Sequence, residues 1–258
     1  MEMTSLVGMS PDSNLRPAPA AVTRVRSLRV GIVLAALLAC LAAASEAADL
    51  DWPPFLPRTG SARTDSAVEK IWKDTTFERN LGAAPLDIPV ALYVALIDAP
   101  EVVAAAAKHL GVASDVVTLL PDGSYELTSP DGSRATIQVL PTKPLERVTL
   151  SHGQLVFHGL KINGSILGLL QLSTVGGDVH QRLTAYVHID NPVLAWLTRT
   201  FLPLLSSKVG EVLSRGFRTT GAVATWAGKH REAFCPWQAA SGFPRERLQP
   251  VADAAGCS

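Results

Sequence analysis

Three side chains near the end of a predicted strand have residue types suited to acid–base chemistry. Tyr186, His188 and Asp190 are spaced two apart, so a strand places them on one face as a hydrogen-bonded row or a general acid–base set. The apolar residues occupy the odd positions between them, so we expect the row to face solvent. Ser151 and His152 are adjacent and point to opposite faces of a strand, which excludes a nucleophile–base pair. These residues therefore favour a protein without catalytic activity, with general acid–base catalysis by Tyr186, His188 and their neighbours as the alternative.

The sequence contains no recognisable metal or cofactor motif. None of its six histidines stands four residues from another on a predicted helix beside a carboxylate, as a helical metal site requires. Lys plus Arg equals Asp plus Glu at 23 each, so the chain lacks the excess positive charge of a nucleic-acid-binding protein. Hydrophobic residues make up 47% of the chain and charged residues 18%, which is ample for a globular core. We predict neither a cofactor nor a nucleic-acid partner.

The N-terminus has the layout of a secretory signal peptide. Arginines precede an uncharged apolar run at residues 30–44, and the small residues after the run predict cleavage near Ala47. A membrane-spanning helix needs about 20 apolar residues, and this run is shorter. A secreted or periplasmic location is therefore favoured over a membrane anchor through residues 30–44. Lipidation at Cys40 is a further alternative.

The two remaining cysteines form an even pair in a protein predicted to be exported. Cys235 and Cys257 lie in the C-terminal tail, residues 229–258, and disulfides persist in oxidising compartments. We predict that they form a disulfide that fastens a tail with little core-forming pattern. Two free thiols in a loose tail are the alternative.

Residue patterns divide the region before the sheet into a helix, a strand and a second helix. One apolar stripe predicts a helix from about residue 66 to residue 77. Residues 88–97 are almost all apolar, which is typical of a strand buried on both faces. Asp98, with Pro100 and Glu101 after it, predicts the start of the next helix, and Gly111 its end.

Short strands and a long helix follow. Turn signals such as Asn163-Gly164 and Gly176-Gly177 predict antiparallel pairing of consecutive strands. A helical pattern over residues 192–227 would run about 54 Å, too long for the domain, so we expect a break at Pro203. The predicted strands are residues 116–119, 125–128, 134–140, 147–152, 155–160, 166–173 and 183–189.

The order of these elements resembles the START-like (SRPBCC) helix-grip superfamily. Leu96-Ile97-Asp98-Ala99-Pro100-Glu101 is similar to the family's passage from a strand through an Ala-Pro turn into a short helix. Residues 168–227, a strand pair followed by Asn-Pro and a long helix, are similar to its closing half. The resemblance implies an α+β fold, a curved antiparallel β-sheet wrapped on a long C-terminal α-helix, with the helix near residue 70 as an extra N-terminal element. Only one helix is predicted after the first strand, where the family has two.

The resemblance also implies a space between sheet and long helix, either filled by side chains or left as an apolar cavity. Alternation along the strands and the apolar stripe of the helix indicate which residues point into it. A cavity there would take a hydrophobic small molecule or lipid. The candidate ligand-binding residues are Leu155, Phe157, Leu183, Ala185, Val187, Ile189, Val209, Val212 and Phe217.

These observations together predict an exported START-like module that binds a hydrophobic small molecule or lipid and contacts membranes transiently. The alternatives are a cyclase- or hydrolase-like enzyme acting in the same cavity and an envelope domain that binds another protein. The predicted segments are residues 1–47 as signal peptide with a long lead, 48–65 as Pro-containing linker, 66–228 as the START-like domain and 229–258 as the tail.

Overall fold

The computed structural model describes residues 51–141, 143–157, 159–192 and 202–257. Its elements are helices and the strands of one sheet. In chain order they are α1 (Ala62–Lys73), β1 (Phe77–Gly82), α2 (Val90–Ile97), α3 (Pro100–His109), β2 (Val116–Leu119), β3 (Tyr125–Thr128), β4 (Arg134–Leu140), β5 (Glu146–Phe157), β6 (Leu160–Val175), β7 (Asp178–Ile189), α4 (Leu202–Lys229), α5 (Arg231–Ala240) and α6 (Arg245–Ala255).

All the strands belong to one antiparallel sheet with the order β1-β7-β6-β5-β4-β3-β2. Strands β2 to β7 follow one another as a meander, and β1 pairs with β7 at the far edge. The long helix α4 lies against one face, which we call the inner face. The predicted fold class, a curved antiparallel sheet wrapped on a long C-terminal helix with an extra N-terminal helix, is confirmed.

Glycines explain where the strands turn and where they continue. The β6–β7 turn is at Gly176 and Gly177, both with positive φ, as predicted. The turn predicted at Asn163-Gly164 is wrong, because both residues lie inside β6. A side-chain carbon at Gly164 would lie 2.6 Å from the carbonyl oxygen of His188, so this glycine allows close approach of two strands rather than a turn. The β5–β6 turn instead contains Gly159, at φ 80°.

The strand predicted at residues 88–97 is also wrong, because α2 occupies this region. Its side chains Leu92, Tyr93 and Leu96 are each at most 1% exposed, since α2 packs against several neighbouring elements. A helix buried on most of its surface has the same run of apolar residues as a buried strand. The first strand is β1, which begins at Phe77, the last residue of the predicted N-terminal helix. Two helices follow β1, where one was predicted.

The C-terminal half of α4 packs tightly in the main core. Val223, Ala224 and Ala227 are fully buried there, with α2 and α3 among their neighbours. Pro203 lies in the first turn of α4. The predicted helical segment before it, at 193–201, lies outside the described residues, as does the predicted signal peptide.

Helix α1 covers the opposite, outer face of the sheet. Its Val68 and Ile71 pack with Val148 and Leu167 in a second core. The segment before α1, predicted as an extended Pro-containing linker, is irregular and packed, since Trp52 is 8% exposed in the same core. The sheet therefore has apolar layers on both faces.

The C-terminal tail is more ordered than predicted. It forms α5 and α6, which place Phe234 and Val251 fully within the main core. The predicted disulfide between Cys235 and Cys257 is present, with Cα atoms 5.4 Å apart.

Two ion pairs connect the start of α3 to the rest of the domain. The guanidinium of Arg247 on α6 donates to the buried carboxylate of Glu101 at 2.7 Å. Arg147 binds the carboxylate of Asp98 at 2.6 and 2.7 Å. Asp98 was predicted to cap α3, but the capping residue is Ala99, which has no side-chain hydrogen bond to the helix.

Within the described ranges, no single helix combines the length and hydropathy of a membrane span. Helices α2 and α3 reach that length and hydropathy only when they are taken together, and the chain bends by 99° between them.

Candidate functional site

A cavity of about 330 Å³ lies between the inner face of the sheet and α4. The sheet residues around it come from one end of the sheet, where β3, β5 and β7 finish and β4 and β6 begin. Val212 and Leu213 on α4 and Val103 and Ala104 on α3 complete its walls. The sheet and the long helix are thus in tight contact at one end and separated at the other.

The antiparallel register explains which sheet residues reach the cavity. Val187 on β7 pairs with Ile166 on β6, which pairs with Ser151 on β5. Paired residues share a face of the sheet, and all three line the cavity. The inner face is therefore made of odd positions on β5 and β7 and even positions on β6.

Five of the nine candidate ligand-binding residues line the cavity: Leu155, Val187, Ile189, Val209 and Val212. The other four, Phe157, Leu183, Ala185 and Phe217, are outside its lining. Ala185 also points to the inner face, but it is fully buried and precedes the part of β7 that lines the cavity. Phe157 packs against a small cluster that includes Ile162 and Ile189.

Several lining residues were absent from the candidate set. Val117 on β2 and Leu127 on β3 form part of the wall, and their paired register places them on one face. Alternation in these strands could have identified them. Val103 and Ala104 could not be found in that way, because only the packing of α3 across the sheet brings them to the cavity.

The lining also contains polar and charged residues. Asp115 precedes β2, and Ser129, Asp131 and Ser133 belong to the β3–β4 connection. The carboxylate of Asp131 accepts a hydrogen bond from the backbone of Ser133 at 2.9 Å. Arg215 lies on α4 and pairs with Glu211 at 3.2 Å.

Two members of the candidate acid–base row, Tyr186 and His188, lie under α1, whereas Asp190 is exposed to solvent as predicted. The ring of Tyr186 packs against Trp72 and Phe55, with centroids 4.9 and 5.9 Å away, and burial is the main cause that raises its pKa. The Nδ1 atom of His188 is 2.8 Å from the carbonyl oxygen of Asp74. His188 borders the cavity wall between Val187 and Ile189, but its ring is engaged on the outer face. The row is therefore not assembled inside the cavity.

Among the described residues, no group of three or more His, Cys, Asp or Glu side chains could hold a metal ion.

Comparison with known proteins finds similar solved structures but no matching family. No family model matches the chain, and no curated protein matches it. Solved structures similar to it include a conserved protein from Geobacillus kaustophilus, with 17% identity and a TM-score of 0.44, covering 58% of this chain and 97% of that one. Ara h 8.0201 has 10% identity and a TM-score of 0.38, covering 57% and 98%. A protein from Arthrobacter aurescens has 13% identity and a TM-score of 0.40, covering 58% and 87%.

Proposed function

We propose that this chain is a START-like protein that binds a hydrophobic small molecule or lipid in the cavity between sheet and long helix. The observation that carries the proposal is the cavity itself, with its mainly apolar lining at the end of the sheet where α4 is separated from the strands. Small-molecule sites are typically concave, mostly apolar and furnished with a few polar groups. The candidate cavity has this composition.

The size of the cavity restricts the ligand that we propose. A volume of about 330 Å³ is near the lower end of the usual range of roughly 300–1,000 Å³ for ligand sites. It suits one hydrocarbon chain or a compact ring system better than a lipid with two chains. Burial of about ten CH₂ groups would contribute about 8 kcal/mol before the cost of association.

The test is to fill the cavity and measure binding of N-phenyl-1-naphthylamine, an apolar fluorescent probe. We expect Ala104→Phe to weaken probe binding at least tenfold, because Ala104 lines the cavity. Ala105→Phe is the matched control, since this half-buried neighbour on α3 is outside the lining. Val212→Trp fills the cavity from α4 and provides a second variant should Ala104→Phe fold poorly.

Direct detection of a ligand provides an independent measurement. Native mass spectrometry and organic extraction of the purified protein should reveal a bound apolar molecule. A wild-type protein that binds no probe and carries no extractable ligand would overturn the proposal, as would equal binding by the filled and control variants.

We also propose that the protein is exported and that its signal peptide is removed near Ala47. The disulfide between Cys235 and Cys257 supports this proposal, because such bonds persist in oxidising compartments. The intact mass of the protein recovered from its native source distinguishes cleavage from retention of residues 30–44 as an anchor and from lipidation at Cys40.

A further inference from the structure

The cavity lining contains an ionisable side chain that faces the cavity and has no partner in the part of the chain that the structure describes. This side chain indicates which polar group the ligand must carry. Asp115 precedes β2 by one residue and is half-buried in the cavity lining. It is two residues from Val117, which also lines the cavity, so the period of an extended chain points both side chains to the inner face. Among the described residues, Asp115 has no hydrogen-bond or ion-pair partner.

The other charged residues of the lining either have partners or point away from the cavity. Arg215 pairs with Glu211, and Asp131 accepts a hydrogen bond within its own turn. Arg134 pairs in register with Gln154, and alternation along β4 places its side chain on the outer face, opposite to Ala135. The charge that remains for a ligand is therefore the carboxylate of Asp115.

The cavity lining also contains neutral hydroxyl groups. Val116 pairs with Thr128, so Asp115 lies across from Ser129, which lines the cavity. Thr219 and Thr220 face the cavity from α4. Hydroxyl groups both donate and accept hydrogen bonds, whereas a carboxylate only accepts. An anionic ligand group beside Asp115 would meet like charge, and a donor would meet an acceptor.

We propose that Asp115 selects single-chain or compact apolar molecules whose polar end is a hydrogen-bond donor, an amine or an alcohol, over those that end in a carboxylate. The apolar part lies against Val187, Val209 and Val212, and the donor binds the Asp115 carboxylate. This inference rests on the proposed function of the cavity and adds the chemical class of its ligand.

Competition among three twelve-carbon probes tests the selectivity. Dodecylamine and dodecanoate below their micelle concentrations, and dodecanol below its solubility limit, should displace N-phenyl-1-naphthylamine from the wild-type protein in the order amine, alcohol, carboxylate. The amine should be about tenfold more effective than the carboxylate, which corresponds to about 1.4 kcal/mol. Equal or better displacement by dodecanoate would overturn the proposal.

The variant Asp115→Asn removes the charge with little change in shape. We expect it to reduce the advantage of dodecylamine over dodecanoate about tenfold. Asp178→Asn is the matched control, because it makes the same change of net charge at the start of β7, whereas the cavity is lined by the end of that strand.

The outcomes separate this inference from the proposed function. If Ala104→Phe blocks all three probes but Asp115→Asn leaves their order unchanged, the cavity binds ligands and the role of Asp115 is wrong. If the wild-type protein binds neither N-phenyl-1-naphthylamine nor any of the three, the proposed function fails as well.

Discussion

At the scale of single residues, Tyr93 shows how a polar group is accommodated in the main core. Its side chain is 1% exposed, and its hydroxyl donates a hydrogen bond to the side-chain oxygen of Gln181. Gln181 is itself buried, and its amide nitrogen has no partner. The pair joins α2 to β7 across the core, and burial raises the pKa of Tyr93 above its ordinary value.

The raised pKa predicts a loss of stability at alkaline pH. Above pH about 10 the unfolded chain releases the Tyr93 proton while the folded chain retains it, so the free energy of unfolding falls as pH rises. Below that pH the contribution is complete. Urea unfolding at pH 8, 9, 10 and 11 should show a smaller alkaline loss for Tyr93→Phe than for the wild-type protein.

Tyr186→Phe is the control for this measurement. Tyr186 is half-buried on the outer face, so its removal should leave most of the alkaline loss in place. The interpretation is wrong if the two variants have the same pH dependence. Tyr93→Phe should also be less stable at pH 7 by about 1–3 kcal/mol, because it leaves the Gln181 acceptor unpaired.

At the scale of elements, glycines determine how closely strands approach. A side-chain carbon at Gly153 on β5 would overlap the carbonyl oxygen of Arg134 and the backbone of Ala135 on β4. Gly164, which pairs with Gly153, is constrained in the same way, because its side-chain carbon would overlap the backbone of β7. Gly216 on α4 differs, because nothing lies within 4 Å of the position its side-chain carbon would occupy.

The same substitution should therefore have opposite effects at two glycines. Gly153→Ala should lower the free energy of unfolding by about 2 kcal/mol or more, because strand backbone must move to relieve the overlap. Gly216→Ala should raise it by about 1 kcal/mol, since alanine is the better helix former and meets open space. Chemical denaturation measures both, and equal effects of the same sign would contradict the explanation.

The misassigned segment 88–97 belongs to the same scale. Its residues are apolar throughout, and this pattern is shared by buried strands and buried helices. Of the two turns predicted from glycine-containing pairs, the one at Gly176 and Gly177 is present, with both residues at positive φ, whereas Asn163-Gly164 lies inside β6. Local backbone requirements were readable from the residues, whereas the number of buried faces on α2 depends on what packs around it.

At the scale of the whole molecule, the C-terminal helices complete the main core. Helices α5 and α6 are held by buried Phe234 and Val251, by the ion pair between Arg247 and Glu101, and by the Cys235–Cys257 disulfide. The disulfide spans a sequence separation of 22 residues. In the chain-entropy description, such a link stabilises the fold by restricting the unfolded chain.

Removal of the disulfide should lower the free energy of unfolding while the main core stays folded. We expect Cys235→Ser/Cys257→Ser to lower the free energy of unfolding by about 3 kcal/mol, measured by urea denaturation. Adding a reductant should lower the stability of the wild-type protein by a similar amount and leave the double variant unchanged. A reductant effect on the double variant would assign the loss to another cause.

The fold class followed from the resemblance that the order of the elements carries. The sequence by itself also determined the bounds of β2, β3 and β4 and the cysteine pairing, because these depend on local patterns: alternation, turn glycines and an even cysteine count. It also provided Val187, Ile189 and Val212, because the side-chain period shows which residues share a face. Only the tertiary structure decided where sheet and α4 separate, that α3 forms a wall through Ala104, and that α1 covers Tyr186 and His188. The reason is physical: a sequence pattern indicates that a face is buried, whereas the element that buries it, and any space left beneath, depends on segments distant in the chain.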